Sequence, residues 1–225
     1  MRNRILIIIL ATALAVSVLL YIRFEHNGGT SSVTGGAHAS SGAVIINEMM
    51  AKNSGVIPDD MGNFSDWVEL YNTGSSDVNL SGWGLSDNPN EVQWQFPSNT
   101  IIPAGGYLVV YCSGNVLQTS EGALHASFKI GAGKDIVTLT DASGQMADQA
   151  EAVEIFGENS LGREVGNLEH WVEFDYPTPG YENTETGREQ YEASRTDTSS
   201  GLLINEFQAS NVTTFAGENG EYPDW

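Results

Sequence analysis

The stretch from Asp66 to Asp87 constrains this chain most, because it has the pattern of a strand, a turn and further short strands. Side chains from 66 to 72 alternate between two faces, which is the two-residue period of a strand with one face on a core. Asn, Gly, Ser and Asp dominate residues 72–77 and favour a turn. Two tryptophans, Trp67 and Trp83, supply much of the apolar area that a small β domain needs.

The chain after residue 42 continues in the same manner, with short apolar runs separated by Gly, Asn, Asp, Ser and Pro. This pattern predicts an all-β sandwich or barrel. Further strands are predicted at 44–50, 78–80, 83–86, 92–96, 101–102, 107–112, 124–130, 136–140, 145–152 and 153–156. We expect 107–112 to be fully buried and 157–180 to be irregular. The predicted core contains Trp67, Leu70, Trp83, Trp94, Phe96 and Val109.

The N-terminal segment is typical of a transmembrane signal anchor. Residues 5–22 are almost entirely apolar, and as a helix they span about 27 Å, close to the hydrocarbon thickness of a bilayer. Arg2 and Arg4 in the flank 1–4 place the N-terminus in the cytoplasm. No small-residue cleavage site follows directly, so an uncleaved anchor is favoured over a cleaved signal peptide. Residues 23–42, rich in Gly and Ser, are predicted to form a flexible linker.

Charge limits the kinds of partner. From residue 43 onward there are 28 acidic residues and six Lys or Arg, a net charge of −22. Such a surface repels phosphate backbones, which disfavours nucleic acids and anionic lipid headgroups as partners of the folded part. Cations, cationic polymers and neutral glycans remain compatible with it. The simplest interpretation is that the charge keeps a secreted domain soluble.

No pattern of catalytic or cofactor-binding residues stands out. Cys112 is the only cysteine, which excludes an intrachain disulfide, and its position after an apolar run predicts an inert buried thiol. Residues 131–135 lack the flanking residues of a phosphate-binding loop and are predicted to form a hairpin turn. His125 and His170 have no second histidine at ligand spacing, so we expect packing or surface roles.

One acidic loop is a candidate metal site. Asp59, Asp60 and Asp66 lie within eight residues together with Gly62 and Asn63. Clustered carboxylate and carbonyl oxygens on a turning backbone suit Ca²⁺, although the register is not that of an EF-hand. The alternative is a solvated acidic loop in which Asp66 caps a turn, and the sequence favours this alternative. The sequence indicates no cofactor apart from this candidate calcium ion.

An internal repeat is visible. Residues 44–67 align without a gap to residues 202–225, an offset of 158. Both segments contain Ile-Asn-Glu and end in Asp-Trp, and Phe64 corresponds to Tyr222. The alignment predicts one complete domain at 43–182, an acidic linker at 183–200 and the start of a second domain at 201–225. We expect the chain to be a fragment of a longer protein.

The most characteristic segments are Ile-Ile-Asn-Glu (45–48), Asp-Trp-Val-Glu-Leu-Tyr-Asn (66–72), Leu-Ser-Gly-Trp-Gly-Leu-Ser-Asp (80–87), Trp-Gln-Phe-Pro (94–97), Ile-Pro-Ala-Gly-Gly-Tyr-Leu-Val-Val (102–110) and Thr-Pro-Gly (178–180). Together they resemble the lamin tail domain family. The resemblance covers 43–182 in full and 202–225 as a truncated second copy. It implies an immunoglobulin-like β-sandwich that serves as a binding or adhesion module without a catalytic centre, found in bacteria on secreted or surface-anchored proteins.

These observations predict a single-pass membrane protein whose tandem β domains lie outside the cell and have a binding or structural role. Its partner would be a cell-surface or extracellular protein or a glycan. Secretion after signal cleavage is the alternative location. One rival function is the targeting region of a surface enzyme, such as a CotH-type kinase, a nuclease or a phosphoesterase. A second is a purely architectural spacer. The chain has no coiled-coil rod, which excludes a nuclear filament role.

Overall fold

The computed structural model describes residues 43–115, 122–133, 135–155, 158–195 and 221. The predicted anchor (5–22) with its flank, the linker (23–42) and, apart from Glu221, the second copy lie outside the described residues. Among the residues that are described, no helix is both long enough and apolar enough to cross a membrane. Contacts divide the chain into two compact units, 1–191 and 192–225. The β domain described below belongs to the first.

The described part of this domain contains twelve strands and one helix. They are β1 Val44–Met50, β2 Asp66–Asn72, β3 Val78–Asn79, β4 Gly84–Ser86, β5 Trp94–Gln95, β6 Ile101–Ile102, β7 Tyr107–Cys112, β8 Leu124–His125, β9 Ile136–Thr140, β10 Met146–Glu151, β11 Ser160–Glu164, β12 Asn167–Phe174 and α1 Glu185–Ser194. The first unit ends after Tyr191, a residue of α1. The prediction of a mainly β fold is confirmed.

Two large sheets form the domain. One has six strands in the order β12-β11-β1-β2-β7-β8, and the other has four in the order β10-β9-β4-β5. Strands β3 and β6 form a small third sheet. All pairings are antiparallel except the one between β7 and β8. Leu70 of the first sheet and Leu139 of the second lie in one buried cluster. This arrangement agrees with an immunoglobulin-like sandwich.

The alternation along β2 shows which residues of the six-stranded sheet face the core and which face the opposite side. Val68 and Leu70 point into the core between the sheets. Trp67 faces the other way, which we call the outer face, and is fully buried there against Met50 and Ile57. An outer face that buries a tryptophan must be covered, and the C-terminal part of the domain contributes to that cover, since Tyr191 of α1 packs on this second cluster.

The predicted core residues fall into two groups. Four of them are buried, with exposed fractions of at most 6%: Trp67, Leu70, Trp94 and Phe96. Trp83 and Val109 are only partly buried. Trp83 lies in the turn that leads into β4. Val109 lies opposite Glu69 on the outer face of the sheet, where residues of β7 keep some access to solvent.

Strand β7 was expected to be fully buried, and this expectation was wrong. Val110 and Cys112 face the core and are completely buried, but Tyr107, Val109 and Tyr111 are half-buried on the outer face. Although the sequence of β7 is apolar throughout, only one face of the strand lies in the core and the other keeps contact with solvent. The expected burial of Cys112 is confirmed, and this burial raises the pKa of its thiol well above the usual value, which disfavours the reactive thiolate.

The region predicted as irregular contains two strands, and the predicted acidic linker contains a helix. Strand β11 pairs directly with β1 and lies well inside the six-stranded sheet. Its sequence, Ser-Leu-Gly-Arg-Glu, has no apolar alternation, and Gly162 is required because a Cβ there would lie 2.5 Å from Nδ2 of Asn183. Helix α1 begins after Thr184, whose hydroxyl accepts a hydrogen bond from the Gly187 N–H at 3.1 Å, the interaction of a helix N-cap.

Two predicted strands are much shorter than expected. The alternating segment 92–96 is strand only at Trp94–Gln95, and the segment 124–130 only at Leu124–His125. The alternating residues after β8, namely Ala126, Phe128 and Ile130, are nevertheless buried in the core. Apolar alternation here predicts burial correctly without a continuous strand.

Candidate functional site

A bulge in β1 creates the most unusual feature of the outer face. Ile46 pairs with Leu70, but the register then shifts so that Glu48 stands opposite Glu69. Both glutamates are completely buried. Two carboxylates as neighbours across a strand pair repel each other and lose their hydration, so this arrangement persists only where hydrogen-bond donors compensate.

The donors for Glu48 come from far along the chain. Oε2 of Glu48 accepts hydrogen bonds from the Thr178 hydroxyl at 3.0 Å and the Thr178 N–H at 3.2 Å. Its Oε1 accepts from the Ser160 hydroxyl. Glu69 accepts from Nδ2 of Asn47 at 2.9 Å and from the N–H of Gly180. Both carboxylates thus bind the Thr-Pro-Gly segment.

Asn183 completes this network from its centre. Its Oδ1 accepts from Nδ2 of Asn47 at 3.1 Å and also lies 3.1 Å from the Thr178 hydroxyl oxygen, whose single proton is donated either to it or to Oε2 of Glu48. Its Nδ2 donates to the carbonyl of Arg163 at 2.9 Å and to that of Asn47 at 3.3 Å. We call Asn47, Glu48, Glu69, Thr178 and Asn183 the carboxylate cluster. It fastens residues 175–184, which we call the strap, onto the outer face of the six-stranded sheet.

Burial changes the protonation of the cluster. It raises the pKa of Glu48 to about 7, against the hydrogen bonds from Ser160 and Thr178, which act in the opposite direction. The pKa of Glu69 is raised well above its usual value, first by burial and then by the nearby Glu48 carboxylate. The pair therefore does not carry two full negative charges at neutral pH. Because its oxygens are committed to Thr178, Ser160, Asn47 and Gly180, we assign it a structural role.

A second buried charge pair joins the two large sheets. Nη2 of Arg163 on β11 lies 2.8 Å from Oδ2 of Asp148 on β10, and both side chains are almost completely buried. The same carboxylate oxygen accepts from the N–H of Ile46 at 2.8 Å, and Nε of Arg163 donates to the Ile46 carbonyl at 2.7 Å. Arg163 also lies over the Trp171 ring, 4.7 Å from its centroid. Strand β11 of one sheet and β10 of the other are thereby both hydrogen-bonded through side chains to β1.

The acidic loop, residues 53–65, is held by its own side chains. Oδ1 of Asp59 accepts from the N–H of Asn63 at 2.8 Å and of Met61 at 3.0 Å, and Oδ2 accepts from the Ser65 hydroxyl at 2.9 Å. At the start of the loop, Nδ2 of Asn53 donates to the carbonyls of Ile57 and Ser65 at 2.6 and 2.8 Å. These bonds hold the loop backbone in one conformation.

A chain of three side chains links this loop to β8. Oδ1 of Asp60 lies 2.8 Å from Nε2 of His125, and Nδ1 of His125 lies 3.2 Å from the Ser113 hydroxyl. These are the residue types of a hydrolytic triad. However, the Asn115 carbonyl, 3.0 Å away, competes for the Ser113 proton, and His125 is 1% exposed. We assign the chain to fastening the loop. His125 therefore has a packing role, as expected.

The three carboxylates of the predicted calcium site have different partners. Asp59 is engaged within its own loop, Asp60 faces His125, and Oδ2 of Asp66 accepts from the N–H of Ile130 at 3.3 Å. Burial raises the pKa of Asp66. In the part of the chain that the structure describes, no three His, Cys, Asp or Glu residues are placed to hold one metal ion. This geometry weighs against the calcium loop, which stays a prediction.

His170 lies at the surface, where its Nδ1 is 2.9 Å from Oε2 of Glu164. Sequence reasoning missed three contributors to the buried networks: Ser160, Arg163 and Asn183. A partial signal was present, since Asn47, Glu48, Glu69 and Thr178 all fall in the characteristic segments. The sequence does not show, however, that these segments contact one another in the fold.

Comparison with protein families identifies a match. The model of the Lamin Tail Domain matches residues 37–154, just over half of the chain. A search of curated proteins finds no match. The matched region contains β1 to β10, while β11, β12 and the strap follow it and supply Ser160, Thr178 and Asn183 to the network. With its two packed sheets and this match, the chain belongs to the lamin tail domain family.

Proposed function

We propose that this chain is a membrane-anchored extracellular module of tandem lamin tail domains, with a binding or structural role and no catalysis of its own. The observation that supports it best is the carboxylate cluster. Its two buried glutamates are the groups most suited to acid–base chemistry, yet their hydrogen bonds go to the strap and to neighbouring strands of the same domain. This agrees with membership of a non-catalytic family.

Anchoring at the membrane is proposed from the sequence. Residues 5–22 have the length and apolarity of a membrane-spanning helix, with Arg2 and Arg4 on the cytoplasmic side. The folded domain would then lie outside the cell, separated from the bilayer by residues 23–42. Secretion after cleavage of this segment is the alternative. The surface of a bacterium is the setting that we propose for this arrangement.

The tandem arrangement is supported by what the repeated residues do in the first copy. Asn47 and Glu48 belong to the carboxylate cluster, and Asn53 holds the acidic loop. Gly62 has φ of 79°, which favours glycine, and Trp67 is fully buried. The second segment has the same residue types at all five positions, namely Asn205, Glu206, Asn211, Gly220 and Trp225. A second domain that begins with the same loop and buried network accounts for this agreement.

Protease treatment of intact cells tests the anchoring. With an epitope tag before Met1, protease added outside should remove the β domain and leave a membrane-bound stub of about residues 1–40, since the linker is rich in Gly and Ser. Full protection until the cells are lysed would contradict the proposed topology. Soluble protein in the medium that begins near Ser40 would show a cleaved signal instead.

The partner of such a module would be a cell-surface or extracellular protein or a glycan. The rival function, the targeting region of a surface enzyme, predicts a catalytic domain in the same gene product. A kinase, nuclease or phosphoesterase domain encoded after residue 225 would support it. A longer product that contains only further β domains would favour a binding or spacer role.

A further inference from the structure

A cavity of about 340 Å³ lies beside the acidic loop. Phe64 and Asn63 line it from the loop, Asp66 from the start of β2, Ser113 and Asn115 from the end of β7, and Lys129 from the segment after β8. Its volume is in the range of small-molecule sites. Among the described residues its walls are mostly polar, and Phe64 is their single aromatic ring.

Phe64 is displayed rather than packed. It is 44% exposed, although it follows a loop whose backbone is held by Asp59 and Asn53. The loop thus presents a large apolar ring to solvent at the edge of a cavity, where a polar residue would be expected. Such a ring offers a flat surface on which a ligand can stack. Because the loop is already fixed, binding costs little additional conformational entropy.

The internal repeat shows that Phe64 differs from the other positions that the two copies share. Most positions that are identical in 44–67 and 202–225 hold polar networks, a turn or the core, as Asn53, Gly62 and Trp67 do. Phe64 has no such packing role in the first copy, yet the corresponding residue of the second copy, Tyr222, is also aromatic. By contrast Asp59, which holds the loop, is replaced by Gly217. An aromatic residue kept at a position that is exposed in the first copy indicates that the ring itself has a use.

The polar groups at the cavity complement the ring. Within the described ranges, the side chains of Asn63, Asn115 and Lys129 form no hydrogen bond or ion pair with the protein. Two amides and an ammonium group supply both donors and acceptors, as vicinal hydroxyl groups require. Strongly anionic ligands are disfavoured by Asp59 and Asp66 and by the −22 charge.

We propose that this cavity binds a neutral pyranose unit of a surface glycan. The apolar C–H face of the sugar stacks on Phe64, and its hydroxyl groups bond to Asn63, Asn115 and Lys129. The inference rests on the proposed function as a binding module and names the ligand class of that function.

Saturation-transfer NMR and calorimetry on the full chain test the site with three neutral probes: cellotetraose, maltotetraose and tetra-N-acetylchitotetraose. At least one should bind, with the strongest saturation on its ring C–H protons. Phe64→Ala should weaken that binding about tenfold or more, while Phe64→Tyr, the residue of the second copy, should keep it within about threefold. Met61→Ala is the matched control, since Met61 lies in the same loop, is 55% exposed and does not line the cavity.

Several outcomes would overturn the site. They are the failure of all three probes to bind, equal affinities of wild type and Phe64→Ala, and tighter binding of tetragalacturonate, an anionic comparator, than of any neutral probe. Unchanged thermal unfolding of Phe64→Ala guards against a folding defect. The result is independent of protease accessibility on cells, so a failed glycan site leaves the anchoring proposal standing, and a failed anchoring experiment leaves the glycan site testable.

Discussion

The carboxylate cluster and the acidic loop use the same chemistry for different purposes. In the cluster, Glu48 accepts hydrogen bonds from Thr178, 130 positions away in the sequence. In the loop, the hydrogen bonds that the structure describes for the Asp59 side chain go to residues at most six positions away. Long-range bonds join elements that would otherwise separate, whereas short-range bonds shape only their own turn. The cluster should therefore determine the stability of the whole domain, and the loop only its local conformation.

The two regions meet at Trp67, which should give the largest effect. Its indole packs against Ile57 of the loop and against Met50 beside the cluster. Trp67→Ala should lower the free energy of unfolding by about 3–5 kcal/mol, measured by urea denaturation. Trp83→Ala, at a half-buried position, should cost clearly less. Equal losses for the two variants would contradict the burial difference.

Glu48→Ala should cost about 3 kcal/mol or more, because it leaves the Ser160 hydroxyl and the Thr178 N–H buried without an acceptor, while the Thr178 hydroxyl keeps Asn183. The strap should also become sensitive to limited proteolysis at residues 175–184. Glu48→Gln keeps one acceptor oxygen and serves as the matched control with a smaller loss. If Glu48→Ala costs less than about 1 kcal/mol, the cluster does not govern global stability.

Stability should fall as the pH rises from about 5 to 8. The pKa of Glu48 is about 7 in the folded protein and 4.5 as the ordinary reference, so between these values the folded state binds more protons than the unfolded chain. The free energy of unfolding then decreases with pH, by about 3 kcal/mol at most for a shift of this size. The raised pKa of Glu69 acts in the same direction. Urea denaturation at several pH values measures the slope.

Glu48→Gln is the control for this pH dependence, since it removes one titrating group and should reduce the slope, while Glu69, Asp66 and Asp148, whose pKa values are also raised, keep part of it. A wild-type stability that is constant or increases between pH 5 and 8 would contradict the assignment. Among the described residues, the exposed carboxyl groups of Asp141 and Glu185 have lowered pKa values, so they do not account for a loss of stability on raising the pH from 5 to 8.

Asp59→Ala should cost about 1–2 kcal/mol, a local effect like the loss of a helix cap, because its hydrogen bonds stay within the loop. Hydrogen exchange should speed up at the amides of Met61 and Asn63 while the β2 amides keep their protection. Faster exchange throughout β2 would show that the loop supports the whole sheet and would remove the contrast with the cluster.

Calcium should give the smallest effect. Because Asp59, Asp60 and Asp66 have separate partners, millimolar Ca²⁺ should raise the melting temperature no more than Mg²⁺ or NaCl at equal ionic strength, through screening alone. A rise specific to Ca²⁺ that Asp60→Asn reduces would instead establish the calcium loop predicted from the sequence, with stabilisation by mass action.

The sequence by itself determined the strands whose signals are local. The bounds of β1, β2, β7 and β9 follow from apolar runs and turn residues, and the burial of Trp67 and Leu70 was expected from the same pattern. The family was recognisable from short segments such as Asp-Trp-Val-Glu-Leu-Tyr-Asn. Strand β11 and helix α1 were missed, because Ser-Leu-Gly-Arg-Glu has no alternation and the helix lies in a strongly polar segment.

Only the tertiary structure decided which polar residues are buried. Nothing in the local sequence distinguishes Glu48 and Glu69 from exposed strand glutamates, and nothing places Thr178 against them. Their burial depends on a bulge in β1 and on a strap more than one hundred positions away. The periodicity of a strand indicates on which face a side chain lies. The pKa and the hydrogen bonds of that side chain depend on the residues that pack over the face, and long-range contacts determine which residues these are.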